Sequence, residues 1–391
     1  MNSDKDIVIT SAFRTPIGSF QGSLKDHKAT ELGTAVVKKC MEHSNLNGSE
    51  VDTVILGQVL QTGCGQNPAR QAAINSGIDK DKTATTINQV CGSGLAAVTL
   101  GFNSLKLNDT NIVIAGGQES MTNSPHYLNY RMEKNLSEEK LKDSMLIDGL
   151  IDAYDDYHMG VTAENVAEKY QITRNDQDNF ALNSQKKAIK AISENRFKEE
   201  IIPIKLKDQK IFDKDEYPRS DTNLEKLSNL KTVFKENGTV TAGNASGLND
   251  GAAAVTLMNY KTSKDKGLKP IAKIVSWSQS GVDPKLMGTG PIPASKLALK
   301  KAGWNIKDLD LVESNEAFAA QSIAVIKELG LKEDIVNVNG GAIALGHPIG
   351  ASGARILVTL IHEMQKRKYK KGLATLCIGG GMGISMCVES I

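Results

Sequence analysis

Residues 91–117 read CGSGLAAVTLGFNSLKLNDTNIVIAGG. Three small residues, Gly92-Ser93-Gly94, open a helical pattern in which Leu95, Val98, Phe102 and Leu105 recur at three- and four-residue spacing. The pattern returns into an apolar run, Ile112-Val113-Ile114-Ala115, that ends in Gly116-Gly117. The same order recurs at residues 351–380, ASGARILVTLIHEMQKRKYKKGLATLCIGG. There Ala351-Ser352-Gly353 opens a helix carrying Leu357, Leu360, Ile361 and Met364, and Ala374 to Ile378 runs into Gly379-Gly380. Two such units in one chain predict a duplicated α/β core.

The repeat extends outward. A short strand at Asp6 to Thr10 leads to Arg14-Thr15-Pro16, and Ile271 to Trp277 takes its place in the second half. Val51 to Gln58 resembles Leu309 to Glu316, which sets Gly57 opposite Asn315. In the second half a further strand, Gly383 to Val388, follows at once. Its first-half counterpart, Ala252 to Met258, comes only after a long interval, so one copy carries an insertion at roughly 121–250.

The expected architecture is therefore α/β. Two similar βαβαβ-type halves face each other through helices as an α/β/α/β/α stack, with an inserted α+β segment. The first half spans 1–268, with core at about 1–120 and 247–268 and insertion at about 121–246; the second spans 269–391. The insertion is polar and holds Pro125, Pro203 and Pro218. Helices are expected near 162–170 and 174–194, the second capped by Thr173 with Asp176 and Asp178 in its first turn. Such an insertion either binds a ligand beside the strand ends or packs as an ornament.

Composition excludes several classes. At 391 residues the chain exceeds what one core supports, and 40% apolar with 24% charged residues is ordinary for a globular protein. Lys+Arg of 47 against Asp+Glu of 45 leaves a net charge of +2, which gives no support to nucleic acid or a membrane surface as the partner. The five cysteines form no Cys-x-x-Cys pair and are odd in number, which points to a reducing compartment without a disulfide framework or zinc site. The start, Met1-Asn2-Ser3-Asp4-Lys5-Asp6, is no signal or transit sequence, no 18-residue apolar run follows, and Glu389-Ser390-Ile391 is no peroxisomal address. The expectation is a cytoplasmic protein.

Four groups fall at matching places in the two copies. Cys91 precedes the first repeat helix, where unpaired N–H groups and the helix dipole favour a thiolate; the other reading is a small core residue at a tight turn. His347, in Gly346-His347-Pro348, precedes the second helix. Asn315 stands at a strand end, and Cys377 lies on the strand leading to Gly379-Gly380-Gly381. Singly these read as a turn residue, a structural amide and a core thiol. Brought together about a pseudo-twofold axis they suit acyl transfer: a Cys–His pair supplies a nucleophile, and amides at glycine turns hold an oxyanion.

With these motifs the chain resembles the thiolases from end to end, nearest the biosynthetic acetyl-CoA branch. The match includes Arg14-Thr15-Pro16, Gly65 to Arg70, the Cys91 motif, Tyr157-His158-Met159-Gly160, Asn244-Ala245-Ser246-Gly247, Asn315-Glu316-Ala317-Phe318, Gly346-His347-Pro348 and Cys377 to Gly381. The resemblance implies a ping-pong reaction in which Cys91 carries the acyl group, His347 accepts its proton and Cys377 acts as acid and base. It implies one oxyanion hole from His347 and a water held by Asn315, and another from the N–H groups of Cys91 and Gly379. Coenzyme A is expected on the insertion, with Arg219 near the adenine, Ser246 near the pantetheine, and Leu150, His158, Met159, Phe234, Ala317 and Phe318 lining a tunnel. Acetyl-CoA, acetoacetyl-CoA and CoA are the implied substrates, with no further cofactor or metal, in a homotetramer or homodimer.

Gln118 and Ser314 depart from the family's usual residues without touching an expected catalytic position. A degradative 3-ketoacyl-CoA thiolase would use the same groups on longer chains. A nicotinamide dehydrogenase lacks its Gly-x-Gly-x-x-Gly turn here. A thiol sensor would leave His347 and Asn315 unexplained.

Overall fold

A computed structural model describes residues 3–132, 137 and 140–391; Met1 and Asn2 of the N-terminal stretch, and 133–136 and 138–139 of the insertion, lie outside these. The first half runs β1 (Ile7–Arg14), β2 (Gly18–Ser19), α1 (Ala29–His43), β3 (Thr53–Gly57), α2 (Pro68–Asn75), β4 (Thr83–Ile87), α3 (Ser93–Lys106) and β5 (Ile112–Ser120). The insertion holds two small hairpins, β6 (His126–Tyr127) with β7 (Lys142–Asp143) and β8 (Ile204–Lys205) with β9 (Ile211–Phe212). It also holds α4 (Met159–Lys169), α5 (Arg174–Ser193) and α6 (Leu224–Ser228). β10 (Asn249–Asn259) returns to the core, and α7 (Tyr260–Asp265) leads to the second half. There follow β11 (Ala272–Gly281), α8 (Pro291–Ala302), β12 (Leu311–Ser314), α9 (Ala319–Leu329), α10 (Ala342–Leu345), α11 (Ser352–Arg367), β13 (Lys371–Ile378) and β14 (Met382–Ser390).

Topology bears out the repeat. β3 pairs parallel with β5, and β10 returns antiparallel beside β5. Likewise β12 pairs parallel with β13, and β14 returns antiparallel beside it. The first half's edge strand β4 has only a remnant in the second, a single parallel bridge between Val312 and Val336.

Side-chain alternation along the strands sorts the core into layers. On β5, Ile112 and Ile114 pack with Leu32, Val36 and Val37 of α1, while Val113 and Ala115 face α3. On β13, Leu373 packs with Leu299 of α8 and Val325 of α9, while Ala374, Leu376 and Ile378 face α11. α3 and α11 thus share one buried layer between two sheets, with α1 and α2 outside one sheet and α8 and α9 outside the other. The repeat did not show that the sheets also join edge to edge, through Val8 opposite Lys273 and Ile9 opposite Ala272.

One expected detail of the insertion appears, together with one that the sequence did not show. α5 starts at a capping box in which Thr173 and Asp176 exchange hydrogen bonds. Arg14, fully buried, donates from Nε to Glu200 (2.6 Å) and from its two terminal nitrogens to Asp215 (2.7 and 2.9 Å). Both acids belong to the insertion, so a paired, hydrogen-bonded buried charge ties it to β1.

Candidate active site

The two central helices begin almost in contact. A Cβ on Gly94 would lie 2.8 Å from the Ala354 nitrogen, and one on Gly353 would lie 2.5 Å from the Leu95 nitrogen. Only glycine permits that approach, and it brings the loops before both helices together.

In the first loop Val90 takes φ +45°, a left-handed conformation costly for a β-branched residue. Its amide donates to Asn88 Oδ1 (2.9 Å), and Ser93 Oγ accepts from the Gln89 amide (2.8 Å) and donates to the Val90 carbonyl (2.7 Å). This loop presents Cys91 to a cavity of about 360 Å³. The thiol is not the thiolate that its helix-start position suggested. Burial pushes it up to about 11, outweighing the backbone N–H groups of Gly379 and of Cys91 itself, which lower it, and a Glu119 charge raises it further.

In the second loop Gly346 has φ +108°, and a Cβ there would overlap the Asn249 side chain. Asn249, on β10 of the other half, accepts the His347 backbone N–H at 2.8 Å. His347 is buried, with Nδ1 2.5 Å from Ser352 Oγ and Nε2 3.4 Å from Asn315 Nδ2. Ser352 donates its one hydroxyl proton to the Pro348 carbonyl (2.9 Å), so Nδ1–H is the donor toward Ser352. Nε2 is then the acceptor end of the imidazole and faces the Asn315 Nδ2 donor. Burial, with the Arg355 charge, lowers the imidazole to about 3, so it rests neutral. Asn315 Oδ1 is buried without a partner among the described residues, as a site for an ordered water would require.

Cys377 lies near the end of β13, fully buried against Met159, Met287, Ala317 and Phe318. Burial raises its thiol strongly, and a charge on Cys91 raises it further. The cavity wall contains Cys91, His347 and Gly379; Asn315 reaches it through His347, and Cys377 stands behind its lining.

Among the residues expected to hold coenzyme A, Leu150, His158, Met159, Phe234, Ser246, Ala317 and Phe318 all line the cavity. His158 caps α4, accepting the Gly160 N–H at Nδ1 (3.0 Å), and stacks on Phe234 at 4.5 Å between ring centroids. Phe234 in turn meets Phe318 edge-on at 6.3 Å. Arg219 does not line the cavity. Its exposed guanidinium lies 5.9 Å from the ring of Tyr217, which does.

Sequence reasoning missed Val90, Asn249, Ser352 and Glu119. Ser352 had a signal, since it is the repeat mate of Ser93. Glu119 had one in a carboxylate placed on an apolar strand end. Asn249 had none. Gln118 turns away, donating to Gln58 Oε1 (2.8 Å), and the Ser314 amide donates to Asn337 Oδ1 (2.8 Å).

A thiol, a buried hydrogen-bonded imidazole and a glycine-turn backbone on one cavity wall are the parts of a cysteine-dependent acyl-transfer centre. The comparisons agree with that class. Residues 7–261 match the model of the thiolase N-terminal domain and 268–390 that of the thiolase C-terminal domain. The chain is 55% identical to acetyl-CoA acetyltransferase of Rhizobium meliloti (strain 1021) over 100% of both chains, and 55% identical to that of Paracoccus denitrificans over 98% of both. The crystal structure of the Bacillus anthracis acetyl-CoA acetyltransferase superposes with a TM-score of 0.96 at 45% identity, covering 99% of each chain. The chain belongs to the thiolase family.

Proposed function

We propose that this protein is an acetyl-CoA C-acetyltransferase, joining two acetyl-CoA reversibly into acetoacetyl-CoA and CoA. The observation that carries the mechanism is one cavity wall that holds Cys91, the Gly379 backbone and the buried, hydrogen-bonded imidazole of His347.

Because both groups rest neutral, attack and proton transfer go together. Sγ adds to the acetyl-CoA carbonyl as Nε2 takes the thiol proton. The departing CoA sulfur takes a proton from Cys377, leaving acetyl-Cys91 and a Cys377 thiolate. That thiolate, a strong base because it is buried, removes the α-proton of a second acetyl-CoA. The carbanion attacks the acetyl-Cys91 carbonyl, the carbon–carbon bond forms, and Cys91 leaves as a thiolate that recovers its proton from His347. The Cys91 and Gly379 amides stabilise one oxyanion, and His347 with a water on Asn315 the other.

Coenzyme A lies along the insertion (about 121–246), with Arg219 toward the adenine and Ser246 near the pantetheine. Leu150, His158, Met159, Phe234, Ala317 and Phe318 form the tunnel, and no cofactor beyond these thioesters is used. The domain limits stay as read, 1–268 and 269–391, in a cytoplasmic homotetramer or homodimer. Among the described residues no helix is long and apolar enough to cross a membrane. Thiolysis of acetoacetyl-CoA is expected to exceed that of a longer 3-ketoacyl-CoA; the reverse preference would favour the degradative reading.

A further inference from the structure

Cys91 packs against a compact buried cluster: Val59, Leu60, Met121, Met145 and Ile349, joined by Leu150 and Leu248. Three of these residues sit on backbone held by one side chain. Glu119, at the end of β5 and fully buried, accepts the Val59 N–H (3.0 Å) and the Gly350 N–H (2.9 Å) at Oε2, and the Leu60 N–H (3.2 Å) at Oε1. Among the described residues no cation pairs with it. The wall has little slack: a Cβ on Gly149 would lie 2.9 Å from Ile349 Cδ1 and 3.4 Å from Leu60 Cδ2. Apolar packing alone could hold such a cluster, and a buried carboxylate without a counter-ion is costly unless its hydrogen bonds matter.

We propose that Glu119 is a positioning residue that sets the acyl-chain limit, by pinning Val59, Leu60 and the Ile349–Gly350 backbone into a rigid wall beside Cys91. The proposal rests on the short-chain reading above. Glu119 touches no reacting atom; it acts through the wall. The acyl group on Cys91 grows toward Met121, Leu150 and Ile349 of the cavity lining, with Val59 and Leu60 packed behind them, so each added methylene meets a fixed surface. Glu119→Gln keeps the shape but turns an NH2 group onto one of the three N–H donors, and the wall loosens.

The test is the ratio of kcat/KM for thiolysis of acetoacetyl-CoA to that of 3-ketohexanoyl-CoA. The expected result is a wild-type ratio well above one that falls about tenfold in folded Glu119→Gln, the discrimination that a methylene or two carries. Loss of stability alone would lower both substrates together and leave the ratio unchanged. Wild type offers a second reading that needs no variant. Burial pushes the Glu119 carboxyl up to about 7, against its three N–H partners and with the Asp250 charge. Asp250, Cys64 and Cys91 are the titrating groups it couples to. Acidification from pH 8 to 6 protonates it and leaves its oxygens weaker acceptors for the three N–H groups, so the wild-type ratio should fall; ionisations of Cys91 and His347 common to both substrates cancel. An unchanged ratio in folded Glu119→Gln overturns the proposal, as does a flat wild-type ratio from pH 8 to 6 if the variant does not fold. A wild type that prefers the longer substrate overturns the short-chain reading along with it.

Discussion

The starts of α3 and α11 are built from one plan and do different work. Ser93 and Ser352 occupy equivalent positions, and each hydroxyl donates to a carbonyl of the preceding loop while accepting one N–H. In the first half the accepted N–H is the Gln89 backbone, so the serine braces a strained turn that aims a thiol. In the second it is the His347 ring, so the serine fixes a tautomer. Duplication supplied two facing helix starts; what each loop carries set a thiol at one and an imidazole at the other.

The largest effect should come from forcing the starts apart. Gly353→Ala puts a methyl against the Leu95 backbone, which cannot swing away as a side-chain tip can, and a stability loss of about 1–3 kcal/mol or more is expected in thermal unfolding. Unaltered stability would mean that the central layer is looser than the geometry requires.

Ser352→Ala and Ser93→Ala sharpen the comparison. Removing Ser352 leaves the buried Nδ1–H unpaired and should lower kcat roughly 10- to 100-fold, the kinetic equivalent of about 1–3 kcal/mol, with KM little changed. Ser93→Ala should cost stability first, since its partners are backbone. Equal kinetic losses in both variants would contradict the division of labour.

The smallest effect is a pH dependence. Cys91 is raised, so its proton is lost only at high pH; His347 is lowered, so it stays neutral well below pH 6. Iodoacetamide alkylation of Cys91 in the free enzyme should therefore climb through pH 9 and beyond. A plateau near pH 7 would instead mark a resting thiolate–imidazolium pair.

The duplicated core was legible because glycines punctuate each repeat at the helix start, at Gly94 and Gly353, and close the apolar strand run, at Gly117 and Gly379, although β5 itself continues to Ser120. Cys91, His347, Asn315 and Cys377 were legible through their repeat positions and the family's motifs. The β1–β11 junction was not, since two pairs of edge residues carry no pattern of their own. Glu119 holds the Gly350 backbone and Asn249 the His347 backbone from the opposite half, and those contacts exist only once the halves have met. The Cys91 ionisation was misread because a helix N-terminus is visible in sequence and the burial that outweighs it is not.

The central claim, that Cys91 takes the acyl group with His347 as its base, is tested most directly by mass analysis of the peptide containing Cys91 after brief mixing with acetyl-CoA. The account predicts one acetyl group on Cys91 in wild type, much slower acetylation in His347→Ala, and none on that peptide in Cys91→Ala. Acetyl transfer to Cys377 instead, or undiminished acetylation without His347, would contradict it.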